Sequence, residues 1–131
     1  MSKVTGIGGV FLKAKDPKAL YAWYEQHLGV LRAEHGAFQF PGSAVPGYTL
    51  LTFFPADSAY FGASGQRAML NLCVDDLDSV LDSLVAAGAE VDPKRENYGD
   101  FGKFGWFADP EGNRVEVWQP SAEASETESG A

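Results

Sequence analysis

Cysteine is nearly absent from this chain. Cys73 is the one thiol in 131 residues, so no intrachain disulfide and no cysteine-based zinc site can form, and a cytoplasmic setting is the expectation. Positive charge is scarce as well. Ten Lys and Arg stand against 18 Asp and Glu, a formal net charge of -8. Such a balance disfavours nucleic acid and anionic membrane as partners and favours neutral or cationic ligands. Long apolar runs are missing too: the N-terminal MSKVTGIGGVFLKAKD offers none long enough for a signal peptide or a membrane span. Histidine occurs only as His27 and His35, which leaves little material for a histidine-based centre.

What is present suits one domain. A chain of 131 residues can bury roughly two-thirds of its unfolded surface. The expected domain is 1–120, with 121–131 (SAEASETESGA) as a disordered acidic tail, because that stretch has no apolar anchor. Val4–Ala14 reads as a strand. Asp16-Pro17 then opens a helix, with Leu20, Trp23, Tyr24, His27 and Leu28 at helical spacing and Gly29 at its end. Val30–Ala33, Ala37–Phe40 and Tyr48–Phe54 are short strand candidates, and Pro55–Gln66 is a polar connection. Residues 67–74 form the next strand. Asp76–Ala87 is a second helix with Leu77, Val80, Leu81, Leu84 and Val85 inward, closed by Gly88. Strands follow near Glu90–Val91, over Phe101–Ala108 and over Asn113–Trp118.

The most informative stretch is Tyr98–Pro120, YGDFGKFGWFADPEGNRVEVWQP. Aromatics spaced by glycine lead into the turn Asp109-Pro110-Glu111-Gly112-Asn113, and a second strand returns. Alternation sends Val115 and Val117 to one face of that strand and Arg114, Glu116 and Trp118 to the other. Taken alone, Glu116 reads as a solvated strand residue. A carboxylate beside an Arg and a Trp, opposite an aromatic strand, also reads as the lining of a pocket.

The chain also repeats itself. Gly9–Asp16 (GVFLKAKD) and Met69–Asp76 (MLNLCVDD) align at an offset of 60 residues, and the helices that follow both close on a glycine. Each half reads as strand, helix, then three strands. The expectation is an α+β fold of two βαβββ modules, about 4–56 and about 67–120. They would form a curved eight-stranded mixed sheet around a cavity, with two helices on the outer face.

This plan resembles the vicinal oxygen chelate superfamily of glyoxalase I, bleomycin-resistance proteins, fosfomycin-resistance enzymes and extradiol dioxygenases. The resemblance is carried by DPKALYAWYEQHLG (Asp16–Gly29), VDDLDSVLDSLVAAGAEV (Val74–Val91) and FADPEGNRVEVW (Phe107–Trp118). It is nearest to short bacterial glyoxalase-like proteins. It implies that metal-using members draw four ligands from the first and last strand of each module. Carried over, those positions hold Gly9, Met69, a site within Ala37–Ala56 where no His, Asp or Glu occurs, and Glu116. A thioether is a poor ligand for a hard or borderline ion. The expectation is therefore no cofactor, with a divalent metal left open as the alternative.

Three functions stay open at this point. One is a metal-free small-molecule binding protein, in the manner of bleomycin resistance. Trp106, Trp118, Tyr98 and Phe101 would supply stacking surface, Glu116 and Arg114 charge, and Met69 and Asn71 further lining, around a cationic or aromatic ligand. Another is an enzyme, either a metal-dependent lyase, isomerase or dioxygenase with unusual ligands or a metal-free catalyst that uses Glu116 as a general base. The last is an assembly module whose exposed aromatics, Tyr60, Phe61 and Trp118, bury in an interface. A homodimer is expected from the resemblance. His27, His35 and Cys73 carry no assigned role, although His35 would gain one if its loop folded over the cavity mouth.

Overall fold

Both helices start at an aspartate two residues beyond the end of a strand. Asp16 accepts the Ala19 N–H at 3.1 Å and Asp76 accepts the Ser79 N–H at 3.1 Å, which satisfies amides that a helix start leaves unpaired. The computed structural model describes residues 2–29, 31–41, 48–63 and 65–121. In chain order it contains β1 (Val4–Ala14), α1 (Pro17–Leu28), β2 (Phe38–Pro41) and β3 (Tyr48–Pro55). After a 3-10 turn at Ala59–Phe61 come β4 (Ala68–Val74), α2 (Leu77–Ala86) and β5 (Glu90–Asn97). A second 3-10 turn, Gly99–Phe101, leads to β6 (Lys103–Ala108) and β7 (Arg114–Gln119). The expected tail from residue 122 onward lies outside the described residues.

The strands form one mixed seven-stranded sheet in the order β2-β3-β1-β4-β7-β6-β5. β1 runs parallel to β3 and β4 parallel to β7, while β1 and β4 meet antiparallel at the centre. The eight-stranded expectation is thus corrected to seven. Around Val30–Ala33, where the other strand was expected, the described residues make a single bridge, Arg32 to Phe38. The chain turns back too soon for more: Gly36 N–H bonds Ala33 O, Ala33 N–H bonds Ala37 O, and Arg32 Nε reaches Gly36 O at 2.8 Å. Val30 itself is outside the described residues.

Both helices pack on one face of the sheet. α1 sets Leu20, Tyr21 and Tyr24 against Leu12, Ala14, Phe38, Leu51 and Phe53. The inward side differs from the periodic expectation, since Trp23 and His27 point outward with rings 4.8 Å apart. Tyr21 turns in instead, because its hydroxyl accepts the buried Phe53 N–H at 3.0 Å and its ring packs on Phe38 and Phe53. α2 buries Leu77 and Leu81, with Val80 and Leu84 beside them, against Val74, Val91, Phe107 and Val117. Val85, expected inward, is exposed, since Leu84 covers the sheet under the last turn. No described helix is long and apolar enough to cross a membrane.

Candidate functional site

Cross-strand pairing decides which side chains share the face that the helices leave open. Phe11 lies opposite Thr52 and Gly9 opposite Leu50. Asn71 is paired with Glu116 and Cys73 with Trp118. On the next strand over, Trp106 lies opposite Glu116 and Phe104 opposite Trp118. Directly opposed residues project to the same side, so these groups face together, away from α1 and α2. There they enclose a cavity of about 430 Å³ whose strand-borne lining includes Phe11, Leu50, Thr52, Asn71, Phe104, Glu116 and Trp118. Arg32, His35 and Gly36 reach it from the turn before β2, and Phe101 from the turn before β6. The His35 ring stands edge-on to Phe101 at 6.4 Å, so the two lips approach each other across the mouth.

Glu116 is the charged group of the strand-borne lining, 3% exposed. Its Oε1 accepts from Asn71 Nδ2 at 2.5 Å. Its Oε2 accepts from the Tyr60 hydroxyl and from Trp106 Nε1, the latter at 3.3 Å. The indole N–H is shared with the Tyr60 oxygen at 3.2 Å. All three donors are neutral. Burial pushes the Glu116 carboxyl above the usual range, and these hydrogen bonds, with the charge of Arg114, oppose that rise without cancelling it. Tyr60 is held well above its ordinary value by burial first and by the Glu116 charge second.

The residues singled out from sequence are partly brought together. Glu116, Asn71, Trp118 and Phe101 line the cavity. Trp106 stands behind it as a donor to Glu116. Met69 is buried with Phe11 and Phe61 under the lining, and Tyr98 is 54% exposed with its ring against Phe104. Arg114 does not pair with Glu116: it bonds Tyr60 O at 3.1 Å and Asp92 at 3.3 Å, with its guanidinium 5.6 Å from the Trp106 ring centre. His27 is remote on the outer side of α1. Cys73 is fully buried against Trp118, and burial pushes its thiol up to about 12.

Sequence reasoning missed two groups. Tyr60 enters the sequence reading only as an interface aromatic of the assembly alternative, yet it bonds Glu116, and its neighbour Phe61 is fully buried within the chain. Trp118, which the assembly alternative would expose, is also buried. The available signal was two adjacent aromatics inside a polar, glycine-bearing connection, which need a hydrophobic seat. Arg32 had no signal at all, because its place depends on the turn that carries it.

The side chains here do not fit a divalent cation. Among the described residues no group of three or more His, Cys, Asp or Glu is placed to hold one. Gly9 offers no donor, Met69 is packed on phenyl rings, and β3 presents Leu50 and Thr52.

Comparison with known proteins bears on the fold and the family. A search of curated protein sequences finds no match. A methylmalonyl-CoA epimerase of Streptomyces coelicolor, in complex with 2-nitronate-propionyl-CoA, superposes with TM-score 0.72 at 16% identity, over 92% of this chain and all (100%) of that one. A methylmalonyl-CoA epimerase of Mycobacterium tuberculosis gives 0.61 at 20% identity, over 94% and 93%. The Mn(II)-bound glyoxalase of Novosphingobium aromaticivorans gives 0.66 at 22%, over 91% of this chain and 40% of the longer neighbour. At these identities the likeness is one of fold. The glyoxalase-like domain model matches residues 9–118, and the chain belongs to that family, within the vicinal oxygen chelate superfamily.

Proposed function

We propose that the protein binds a small organic molecule in this cavity without a resident metal, seating an apolar or aromatic body on Trp118 and Phe104 and a hydrogen-bond donor on Glu116. One observation carries this reading: a carboxylate 3% exposed that still lines a cavity of about 430 Å³, a size within the roughly 300–1,000 Å³ of small-molecule sites. An ionised carboxylate has about four lone-pair sites. Asn71, Tyr60 and Trp106 take three of them, which leaves one on Oε1 for a ligand. Phe104 and Trp118, stacked with planes 4° apart, supply a flat wall.

The test is titration calorimetry with indole as the probe, whose N–H is a donor on a flat apolar body. Binding to the native chain should weaken by roughly 1–3 kcal/mol in Glu116→Gln, the scale of a contact to a charged group. Indole affinity that is equal in both proteins would argue against Glu116 as the acceptor.

A second reading, general acid–base catalysis by Glu116, is favoured by the same burial. A carboxyl lifted above the usual carboxylate range by burial is suited to taking and returning a proton, and the fold neighbours named epimerase and glyoxalase are enzymes. Exchange of a bound ligand's C–H for deuterium in D2O, lost in Glu116→Gln, is its mark.

The same account takes residues about 4–56 and about 67–120 as two copies of one strand–helix–strands unit, the first with one strand fewer after its helix. The equivalent parallel pairs β1–β3 and β4–β7 support it. A homodimer is also proposed, supported by the exposed Val4, Ile7 and Leu70 on the central strands β1 and β4.

A further inference from the structure

The cavity has a second polar end that the acidic composition hides. Arg32 lines it, in a chain whose formal charge is -8. Its guanidinium lies 4.1 Å over the Tyr21 ring, and its Nε is fixed on Gly36 O at 2.8 Å. Two anchors of that kind hold a long side chain in one place without neutralising it. Arg95 and Arg114 are each matched by aspartates, Arg95 by Asp78 and Asp82 at 2.8 Å and Arg114 by Asp92 at 3.3 Å. Among the described residues no carboxylate pairs with Arg32. Its two terminal nitrogens are the part of the fork that suits a carboxylate or another planar anion.

Arg32 bridges to β2, and Glu116 sits on β7, with β3, β1 and β4 between them in the sheet. The sheet curls far enough that the His35 turn meets the Phe101 turn at 6.4 Å. The lining therefore runs from a guanidinium, across Phe11, Leu50, Phe104 and Trp118, to a buried carboxylate. A purely cationic ligand would leave the Arg32 end unmatched, and a purely anionic one would meet Glu116.

We propose that the ligand is a flat apolar molecule with two distinct ends: an anionic group, carboxylate in type, bound by Arg32, and a neutral donor accepted by Glu116. This rests on the cavity reading above and names the class of molecule it would take.

The test uses three probes of one size on the full-length chain, by titration calorimetry near neutral pH. Indole-3-acetate has both ends, indole-3-acetamide lacks the anion, and 1-methylindole-3-acetate lacks the N–H donor. The acetate should bind about tenfold more tightly than the amide, the scale of one charge-assisted contact. Arg32→Gln should close most of that gap by weakening the acetate far more than the amide, and Arg32→Lys should restore part of it. The methylated probe should bind more weakly than the acetate yet still respond to Arg32→Gln. Equal affinity for acetate and amide, or a gap that survives Arg32→Gln, overturns the anionic end. If in that case Leu50→Trp or Thr52→Trp, which fill the cavity, still abolish binding, the cavity reading stands by itself. If none of the probes binds, or if filling the cavity changes nothing, both readings fall.

Discussion

The side-chain carbonyl of Asn71 occupies the space that a side chain at Gly8 would need. A Cβ on Gly8 would stand 2.0 Å from Asn71 Oδ1, 2.9 Å from Cys73 Sγ and 3.0 Å from Trp118 Cε3. That Oδ1 is buried with no hydrogen-bond partner among the described residues, while its sister Nδ2 holds Glu116. The missing side chain on β1 is thus what lets β4 deliver an amide to the carboxylate on β7.

Gly8→Ala should therefore cost stability out of proportion to one methyl group. The neighbours are a packed amide, a buried thiol and an indole, so overpacking of roughly 1–3 kcal/mol is expected. Chemical denaturation reads it. Adding Asn71→Ala should recover part of the loss, because the two residues compete for one space and their effects cannot add. Simple additivity in the double variant would show that they do not compete.

The raised Glu116 carboxyl makes stability depend on pH in a set direction. Its folded-state value lies above the unfolded one, so the fold binds this proton more tightly than the unfolded chain does. Its contribution is fully present below the ordinary carboxylate range and is lost as pH rises through the raised value, with a slope of at most about 1.4 kcal/mol per pH unit for one proton. Glu116→Gln should remove that component and should not unfold the protein. Its amide can still accept from Tyr60 and Trp106, and a turned Asn71 amide can offer its now unpartnered Oδ1. Denaturation midpoints across pH, native against variant, check this: parallel curves would mean that Glu116 does not titrate as described.

Much of the fold was legible because its signals are local. The caps at Asp16 and Asp76, the ends of β1, and the alternation of Arg114–Trp118 are written in adjacent residues, and the structure carries all of them. The site was legible only in part. Glu116, Asn71 and Trp118 could be found from alternation within their own strands. Tyr60 could not, since its role depends on a connection of irregular shape delivering a hydroxyl to a strand 56 residues away. Arg32 was hidden for a similar reason. Its neighbours read as a strand, but a turn closed after one bridge, and that turn is what aims the guanidinium.

Cys73 should be chemically silent in the native protein. Its thiol is fully buried against Trp118 and pushed up to about 12 by burial, so the reactive thiolate is scarce at neutral pH. Treatment with a disulfide reagent such as dithionitrobenzoate should label it only at the rate of global or local opening, and promptly in denaturant. Immediate stoichiometric labelling of the folded chain would place the thiol at a surface.

Trp118 joins the wall of the cavity to its lip. Its ring stacks on Phe104, and its Nε1 donates to Phe101 O at 2.5 Å. Phe101 belongs to the Gly99–Phe101 turn and is 51% exposed, so that bond ties the lip to the sheet. Trp118→Phe keeps a stackable ring and removes the donor. The expected result has two parts: a modest stability loss of roughly 1–3 kcal/mol from the smaller ring and the stranded carbonyl, and a looser lip. Chymotrypsin reads the second part, because an exposed phenylalanine on a freed turn is a ready cleavage site. The variant should be nicked at Phe101 faster than the native chain under conditions where far-UV circular dichroism shows both to be globally folded. Equal nicking of the two folded proteins would mean that the lip is held by the rest of its turn and that Trp118 serves only as wall.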